Sequence, residues 1–591
     1  EKRADDHTVP ASVRTIGSGA SLGCSITGTL TVPASIVNVG SFAFADCPLE
    51  AIVFEGGGLS GCTVGDYAFY GCDSVETLTF AEDSSVTTIG DYAFSGLAIG
   101  EVTIPARVTS IGDYAFEDCM GGYYGDEFEV TFAMEGACNF GDGVFSGSGL
   151  SSLTIPKNAV VSSGFLLGLD KYIDITVEEG NATLTSDGDA IYLKSADGQN
   201  AYETLFIYQG EATEYTVRDG VKIIADNVFN GNYDLEKVTI LGTVTSIGSY
   251  AFAEGDLSEL YFEAGGTETL TIGDYAFYYS RIATMHLPTD RDVVIGDYAF
   301  AEISGSSYLT DVDLGGTTEI GDYAFAGSGN YSSFTIPASV KSIGNYAFEG
   351  GYSSRAVTFT FAGDSSLETI GAFAFTGRKI ESITIPASVT SIGAYAFEDC
   401  DDLTSITFED GEAPPVSGAA YGSYTGNVLS GTLVEKVDFP ARLTVLSDQA
   451  FYYNNSTTEV TFPENSRLTT IGAEAFKHGN LQKIKLPASL NNTDVIAVGN
   501  EAFSGAPLTE FSFMTGGTGE VTLGESALAF SYSSAVTEIT LPKTLAPFTA
   551  GGTTIPALAN GADVFSDALE SISVEEGCSD YASDGGMLYS A

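Results

Sequence analysis

The sequence predicts an α/β repeat solenoid: mostly short parallel β-strands, joined by turns and single helical turns, wound into an extended rod or arc. Three observations predict it. The phrase I-G-D-Y-A-F closes at Phe94, Phe116, Phe277, Phe300 and Phe325, and close variants close at Phe44, Phe69, Phe252, Phe348, Phe375, Phe397, Phe451, Phe476 and Phe503. Neighbouring copies lie mostly about 22 to 27 residues apart, a period of one supersecondary unit per coil. Each unit carries apolar residues it cannot bury alone, so the units must stack. At ~4.8 Å per stacked strand, about twenty coils span on the order of 100 Å.

The copy from Ser382 to Cys400 shows how each element arises. Ile383, Thr384 and Ile385 form a brief alternating strand. Pro386 ends it, because proline has no N–H to give a ladder. Val389 and Ile392 point inward, and Gly393 is expected to take the backbone conformation of a tight turn. Tyr395, Ala396 and Phe397 then make a compact turn or single helical turn, with Phe397 filling the core. The tyrosine recurs at Tyr92, Tyr114, Tyr275, Tyr298 and Tyr323, which favours structural packing with a wet phenol tip over a binding stripe.

Two flavours of coil alternate. One carries I-P-A-S-V, as at Ile336 and Ile385; the other carries F-x-x-G, as at Phe262, Phe408 and Phe513. The stretch I-P-A-S-V-T-S-I-G-A-Y-A-F-E-D-C-D-D-L-T-S-I-T-F, Ile385 to Phe408, resembles the BspA-type (Treponema-type) leucine-rich repeat family, and the resemblance covers nearly the whole chain. It implies a leucine-rich-repeat-type fold in a secreted or cell-surface protein that adheres, binds partners or builds surface structures. It implies no catalytic residues.

Taken in order, residues 1–152 read as N-terminal coils, beginning with a degenerate one in which Ser21 stands where the core phenylalanine belongs. Residues 153–230 read as an irregular, strand-rich insertion, where Ala190, Tyr192, Leu205 and Ile207 alternate as hairpin strands. Residues 231–548 are the main array, and 549–591 an irregular coil with a half-motif. No apolar run reaches the ~20 residues of a spanning helix. With no signal peptide in view, the sequence is read as a mature form.

The chain has 79 acidic and 23 basic residues, a net charge of −56. Nucleic acid is excluded as a partner, since phosphate neutralisation needs Lys and Arg, and membrane insertion is not expected. Asp66, Asp91, Asp113, Asp274, Asp297 and Asp322 hold one place in their coils. They read as a solvated acidic face, with weak divalent-cation binding to the acidic ladders as the sharper alternative; no other cofactor is expected. Cys24, Cys47 and Cys72 occupy one ladder position in successive coils, either as small buried hydrophobes or as stacked disulfides. Five asparagines begin glycosylation triplets: Asn181, Asn330, Asn454, Asn455 and Asn491. No nucleophile elbow, H-E-x-x-H or phosphate-binding loop is present, so an enzyme is not expected and no catalytic, cofactor-binding or metal residue is assigned.

Two functional classes remain. The first is a non-enzymatic extracellular or cell-surface protein that joins head to tail with itself into filaments. V-E-E-G-C-S-D-Y-A-S-D-G-G-M-L-Y, Val574 to Tyr589, matches V-E-E-G-N-A-T-L-T-S-D-G-D-A-I-Y, Val177 to Tyr192. Inside the chain that phrase leads to Glu214–Ile224, which Asp6–Ile16 resembles. The expected interface is Thr8, Val9, Val13 and Ile16 at one end, and Val574, Tyr581, Met587, Leu588 and Tyr589 at the other. Cys24 and Cys578 lie near the two ends as a candidate bond across the joint, with Cys24–Cys47 the alternative. The second class is a monomeric adhesin that binds a protein or glycan of a host, matrix or neighbouring cell through its exposed strand face.

Overall fold

The computed structural model describes residues 6–590 apart from 121–127, 163, 170–172, 304–308, 329–330, 351–355, 411–426, 491–495, 518–520, 525, 531–533, 546–547, 551–552, 556–568, 579–580 and 585–586; for 548–550, 553–555, 581–584 and 587–590 it describes the backbone.

Each coil has three sides. In the copy analysed above, the first side is Ser382–Ile385, whose residues alternate exposed and buried. Pro386 closes it, and the Val389 N–H donates to Pro386 O at 3.2 Å in the turn that follows. Ser391–Ile392 is the second side. The third, residues 394–399, is a run of turns. Among the described residues every regular element is a strand, so the expected helical turn does not form. The backbone groups are spent on neighbouring coils instead. Phe373, Phe375 and Gly377 donate their N–H groups to Ala394, Ala396 and Glu398 at 3.0, 2.8 and 2.8 Å. Tyr395 and Asp399, at φ 56° and 52°, are left-handed, which a right-handed helix does not allow.

The chain forms two compact units, Glu1–Gly210 and Glu211–Ala591, dividing inside the irregular passage. In the first unit, first-side strands run parallel from His7–Thr8 through Thr29–Val32 and Ala51–Phe54 to Thr77–Phe80. Two further parallel pairs follow, Glu101–Ile104 with Glu129–Phe132 and Ser152–Ile155 with Asp174–Val177. The second side is a seven-stranded sheet from Thr15–Ile16 to Ala159–Val161. This unit finishes in antiparallel strands Leu184–Ser186, Ala190–Leu193 and Thr204–Tyr208, the hairpin expected from the alternation. In the second unit the second side runs in parallel from Ile223–Ile224 to Ser391–Ile392, and the first side from Glu214–Thr216 to Asp311–Asp313 and again from Ser382–Ile385 to Glu510–Phe513. That unit finishes in the hairpin Tyr581–Asp584 and Met587–Ser590.

The core is a column of phenylalanines. Phe69, Phe94 and Phe116 are fully buried, with successive ring centroids 5.4 and 5.5 Å apart. The second unit repeats the column from Phe252–Phe277 at 5.1 Å to Phe375–Phe397 at 5.3 Å. Burying each ring contributes about 1.5–3 kcal/mol.

The repeat glycine has a different role from the expected one. Gly393 and its equivalents are not left-handed. A Cβ at Gly65 would stand 2.8 Å from Ser41 N, one at Gly90 2.7 Å from Asp66 N, and one at Gly321 2.6 Å from Gly296 C. Glycine is required because the backbone of the preceding coil lies against it. The left-handed conformation falls two residues later, on the tyrosine, as at Tyr67 (φ 57°) and Tyr298 (φ 55°).

Candidate interaction surfaces

The aspartate ladder is built of side-chain acceptors. Oδ1 of Asp66 accepts the Asp91 N–H at 3.2 Å, Asp91 accepts from Asp113 at 2.9 Å, and Asp113 from Asp142 at 2.8 Å. In the second unit Asp274 accepts from Asp297 at 2.9 Å, Asp297 from Asp322 at 2.7 Å, and Asp322 from Asn345 at 2.6 Å. Each carboxylate caps an N–H of the next coil, as an N-cap residue does for a helix. Among the described residues no group of three or more His, Cys, Asp or Glu is arranged to hold a metal ion.

Beside it runs a tyrosine stack. Tyr250, Tyr275, Tyr298, Tyr323 and Tyr346 lie face to face, with successive centroids 4.8, 4.6, 4.5 and 4.6 Å apart, and Phe373 and Tyr395 continue the column. Such pairs contribute about 0.5–1.5 kcal/mol each, which offsets the ~1–2 kcal/mol cost of a left-handed side-chain-bearing residue. Burial raises the phenol pKa of Tyr323 to about 12.

The eight cysteines are free thiols. The ladder slot of Cys47, Cys72, Cys119 and Cys400 is a donor position three residues after the core ring. Cys47 Sγ donates to Ser21 O at 2.9 Å, Cys72 to Phe44 O at 3.1 Å, and Cys119 and Cys400 to Phe94 O and Phe375 O at 3.2 Å. Burial pushes Cys72, Cys119 and Cys400 up to about 12. Cys24 is exposed and Cys578 half-buried.

Of the glycosylation triplets, Asn330 and Asn491 lie outside the described residues. Asn181 is buried, its amide donating to Pro156 O at 2.9 Å and Ala159 O at 3.1 Å. Asn454 is also buried, donating to Leu429 O at 3.3 Å. Their amide nitrogens are committed inside the coil, whereas Asn455 is exposed.

At the N-terminal end Thr8 is exposed, Val9 and Val13 are half-buried and Ile16 is buried. In the next coil the equivalents of Val9 and Val13, Val32 and Ile36, are both only 1% exposed. Gly17 occupies the repeat-glycine position, and a Cβ on it would meet nothing within 4 Å. At the other end Val574 is half-buried and lies in a strand that pairs in parallel with Glu538–Leu541. Tyr581, Met587, Leu588 and Tyr589 lie in the terminal hairpin.

The two hairpins share one register. Leu184 pairs with Leu193, Thr185 with Tyr192 and Ser186 with Ile191; in the matching places Tyr581 pairs with Ser590, Ala582 with Tyr589 and Ser583 with Leu588. The turns before them match as well. Glu178 Oε2 accepts the Lys157 N–H at 2.9 Å, and Glu575 Oε2 accepts the Lys543 N–H at 3.3 Å. The internal hairpin receives Thr204–Tyr208 as a third strand, whereas Met587–Ser590 belongs to a two-stranded sheet.

Residues 2–122, 199–317, 318–414 and 425–550 match the BspA type leucine rich repeat region, in six copies. The chain belongs to the BspA-type leucine-rich repeat family. A search of curated proteins finds no match. Among solved structures, this BspA-type chain is similar to the pneumococcal vaccine antigen PcpA at 19% identity, over 65% of this chain and 92% of that one, with a TM-score of 0.40. A leucine-rich cell surface protein of Faecalibacterium prausnitzii is 22% identical over 68% and 88%, TM-score 0.37. A leucine-rich repeat protein of Bacteroides ovatus is 20% identical over 66% and 96%, TM-score 0.41. No helix among the described residues is long and apolar enough to cross a membrane.

Proposed function

We propose that this is a non-enzymatic extracellular structural protein that assembles head to tail with copies of itself. The observation that carries the reading is the duplicated hairpin. The second unit finishes in the same motif, with the same pairing register, as the first. In the sequence the first copy leads to Glu214–Ile224, the phrase that Asp6–Ile16 resembles. A second copy arriving at the C-terminal hairpin presents the kind of coil that follows the internal one. Gly17 supports the same reading, since it keeps the residue that later coils need for close backbone contact. A repeated contact of this kind, between different surfaces, makes a filament if it does not close.

The test is Gly17→Leu. The added side chain meets nothing in the isolated chain, so the monomer folds with an unchanged melting temperature. It fills the space an incoming coil needs, so fibres seen for the wild type by negative-stain microscopy are lost. Deleting residues 574–591 gives the same loss from the other end. A wild-type chain that stays monomeric at high concentration, or Gly17→Leu fibres like those of the wild type, overturns the proposal. A monomer with a saturable partner other than itself supports the adhesin reading instead.

A further inference from the structure

The second unit carries an aromatic corner that the repeat does not require. The residue two places after the core phenylalanine is left-handed in coil after coil. It is glycine at Gly71, Gly96 and Gly377, a carboxylate at Asp46, Glu302 and Asp399, and a ring at Tyr453 and His478, which unlike Tyr279 line no cavity with a second exposed tyrosine and an arginine among the described residues. Glycine adopts this backbone freely, while a bulky side chain there is an outlier of the kind found at functional sites. Tyr279 stands there at φ 55°, and burial does not compensate, because it is 54% exposed. Tyr233 nearby is 59% exposed. With Tyr278, Glu254, Asp256 and Arg281 they line an open cavity of about 350 Å³. The Tyr278 and Tyr279 rings are 6.2 Å apart and inclined by 39°, so they present angled faces. Arg281 Nη1 lies 3.1 Å from Asp256 Oδ1. Burial, then the charges of Glu302 and Glu254, holds the Tyr278 phenol protonated above its ordinary range.

We propose that this corner binds a saccharide. A pyranose ring has an apolar C–H face and a belt of hydroxyls. The tyrosine faces take the first. Glu254 and Asp256 accept from the hydroxyls, and Arg281 and the phenol O–H groups donate to them. A cationic ligand is the poorer match, because Arg281 already answers Asp256 and the lining offers donors as well as acceptors. The volume lies at the small end of the ~300–1,000 Å³ range of ligand pockets, enough for one or two sugar rings. Because the cavity is open, it accepts residues within a chain as well as at its end. This site lies on coils far along the sequence from both ends and does not depend on self-assembly.

The experiment is affinity electrophoresis of the full chain through native gels containing soluble β-glucan, xylan or mannan, with Tyr279→Gly, Tyr279→Phe and Tyr233→Ala alongside. Tyr279→Gly installs the residue other coils use here, so its melting temperature stays level or rises. The wild type and Tyr279→Phe are slowed by at least one polysaccharide, and Tyr279→Gly and Tyr233→Ala lose that retardation. The proposal is overturned if none of the three slows the wild type, or if Tyr279→Gly is slowed equally. Binding of poly-lysine at this corner without any polysaccharide binding also overturns it, in favour of a cationic ligand.

Discussion

Asp297 accepts the Asp322 N–H at 2.7 Å, and Asn345, two coils further along the same ladder, accepts the Ala372 N–H at 2.8 Å. The ladder therefore needs an oxygen, not a charge. Asp297→Asn is expected to leave the melting temperature level or raise it, since the cap survives and one like charge goes. Asp297→Ala loses the cap and about 0.5–2 kcal/mol, measured by urea unfolding. A larger contribution comes from buried cations. Arg378 is 6% exposed, with Nε donating to Phe348 O at 2.5 Å, Nη1 to Ser328 O at 3.1 Å and Nη2 to Phe325 O at 3.1 Å, and with the Tyr331 ring 5.4 Å away. It ties three coils together through their carbonyls. Arg378→Met leaves those carbonyls buried without the donor and is expected to lower stability by about 3 kcal/mol or more. Arg378→Lys does not restore the fork geometry and falls between the two. Equal stability of all three chains would contradict this role.

Along the first side, the scarce lysines interrupt the acids. Lys436 lies 3.5 Å from Glu459, and Lys483, paired in register with Glu459 and Glu510, lies 2.8 Å from Glu510. Opposite charges facing across strands stabilise a sheet, and like charges do the reverse. Lys483→Glu places three acids in a row, so its melting temperature should fall below wild type in low salt and recover in 0.5 M NaCl; a fall independent of salt would point to packing instead. The strands themselves were legible in the sequence. Ile383 and Ile385 alternate with polar neighbours, Pro386 marks the strand end, and the recurring Phe gives the coil length. What was not legible concerns contacts between coils. The sequence shows a glycine at Gly393 but not that the preceding backbone lies against it. It shows Asp297 but not the N–H it caps, because a backbone donor leaves no mark in the sequence. The hairpin at Ala190–Leu193 was readable from alternation, and its copy at Met587–Ser590 from the repeated phrase. Arg378 had a readable signal: it stands three residues after Phe375, in the slot that Cys72, Cys119 and Ser328 fill, so a long polar residue there had to donate inward. Tyr279 had one too, a ring in a slot where most coils carry glycine or an acid, Tyr453 and His478 being the other rings.

Over the whole chain the net charge of −56 sets the dependence on pH and salt. Self-repulsion opposes the compact state, and salt screens it over ~10 Å at 0.1 M. Glu349 is raised above the ordinary carboxylate range by burial and then by Glu302, and Glu398 by burial and then by Asp399. A carboxyl raised on folding binds more protons in the folded state than in the unfolded one between its two pKa values. Stability therefore falls as pH rises through that window and is regained below it. Glu474 works the other way, lowered by hydrogen bonds from Lys477 and Gln449, and its contribution is lost as pH falls through its folded pKa. Stability is accordingly expected to peak on the acid side of neutrality, where the raised glutamates are gaining protons and the lowered one still holds its charge. In low salt the melting temperature should rise from pH 8 to that point. Glu349→Gln should show a smaller rise, and 0.2 M NaCl should flatten the profile; a flat low-salt profile would contradict the argument. The same repulsion acts between copies, since each copy carries the net charge of −56. Head-to-tail assembly, followed by light scattering, should therefore speed up with added NaCl or with mild acid. A rate that falls with salt would mean that attraction between opposite charges, rather than backbone and apolar contact, holds the joint.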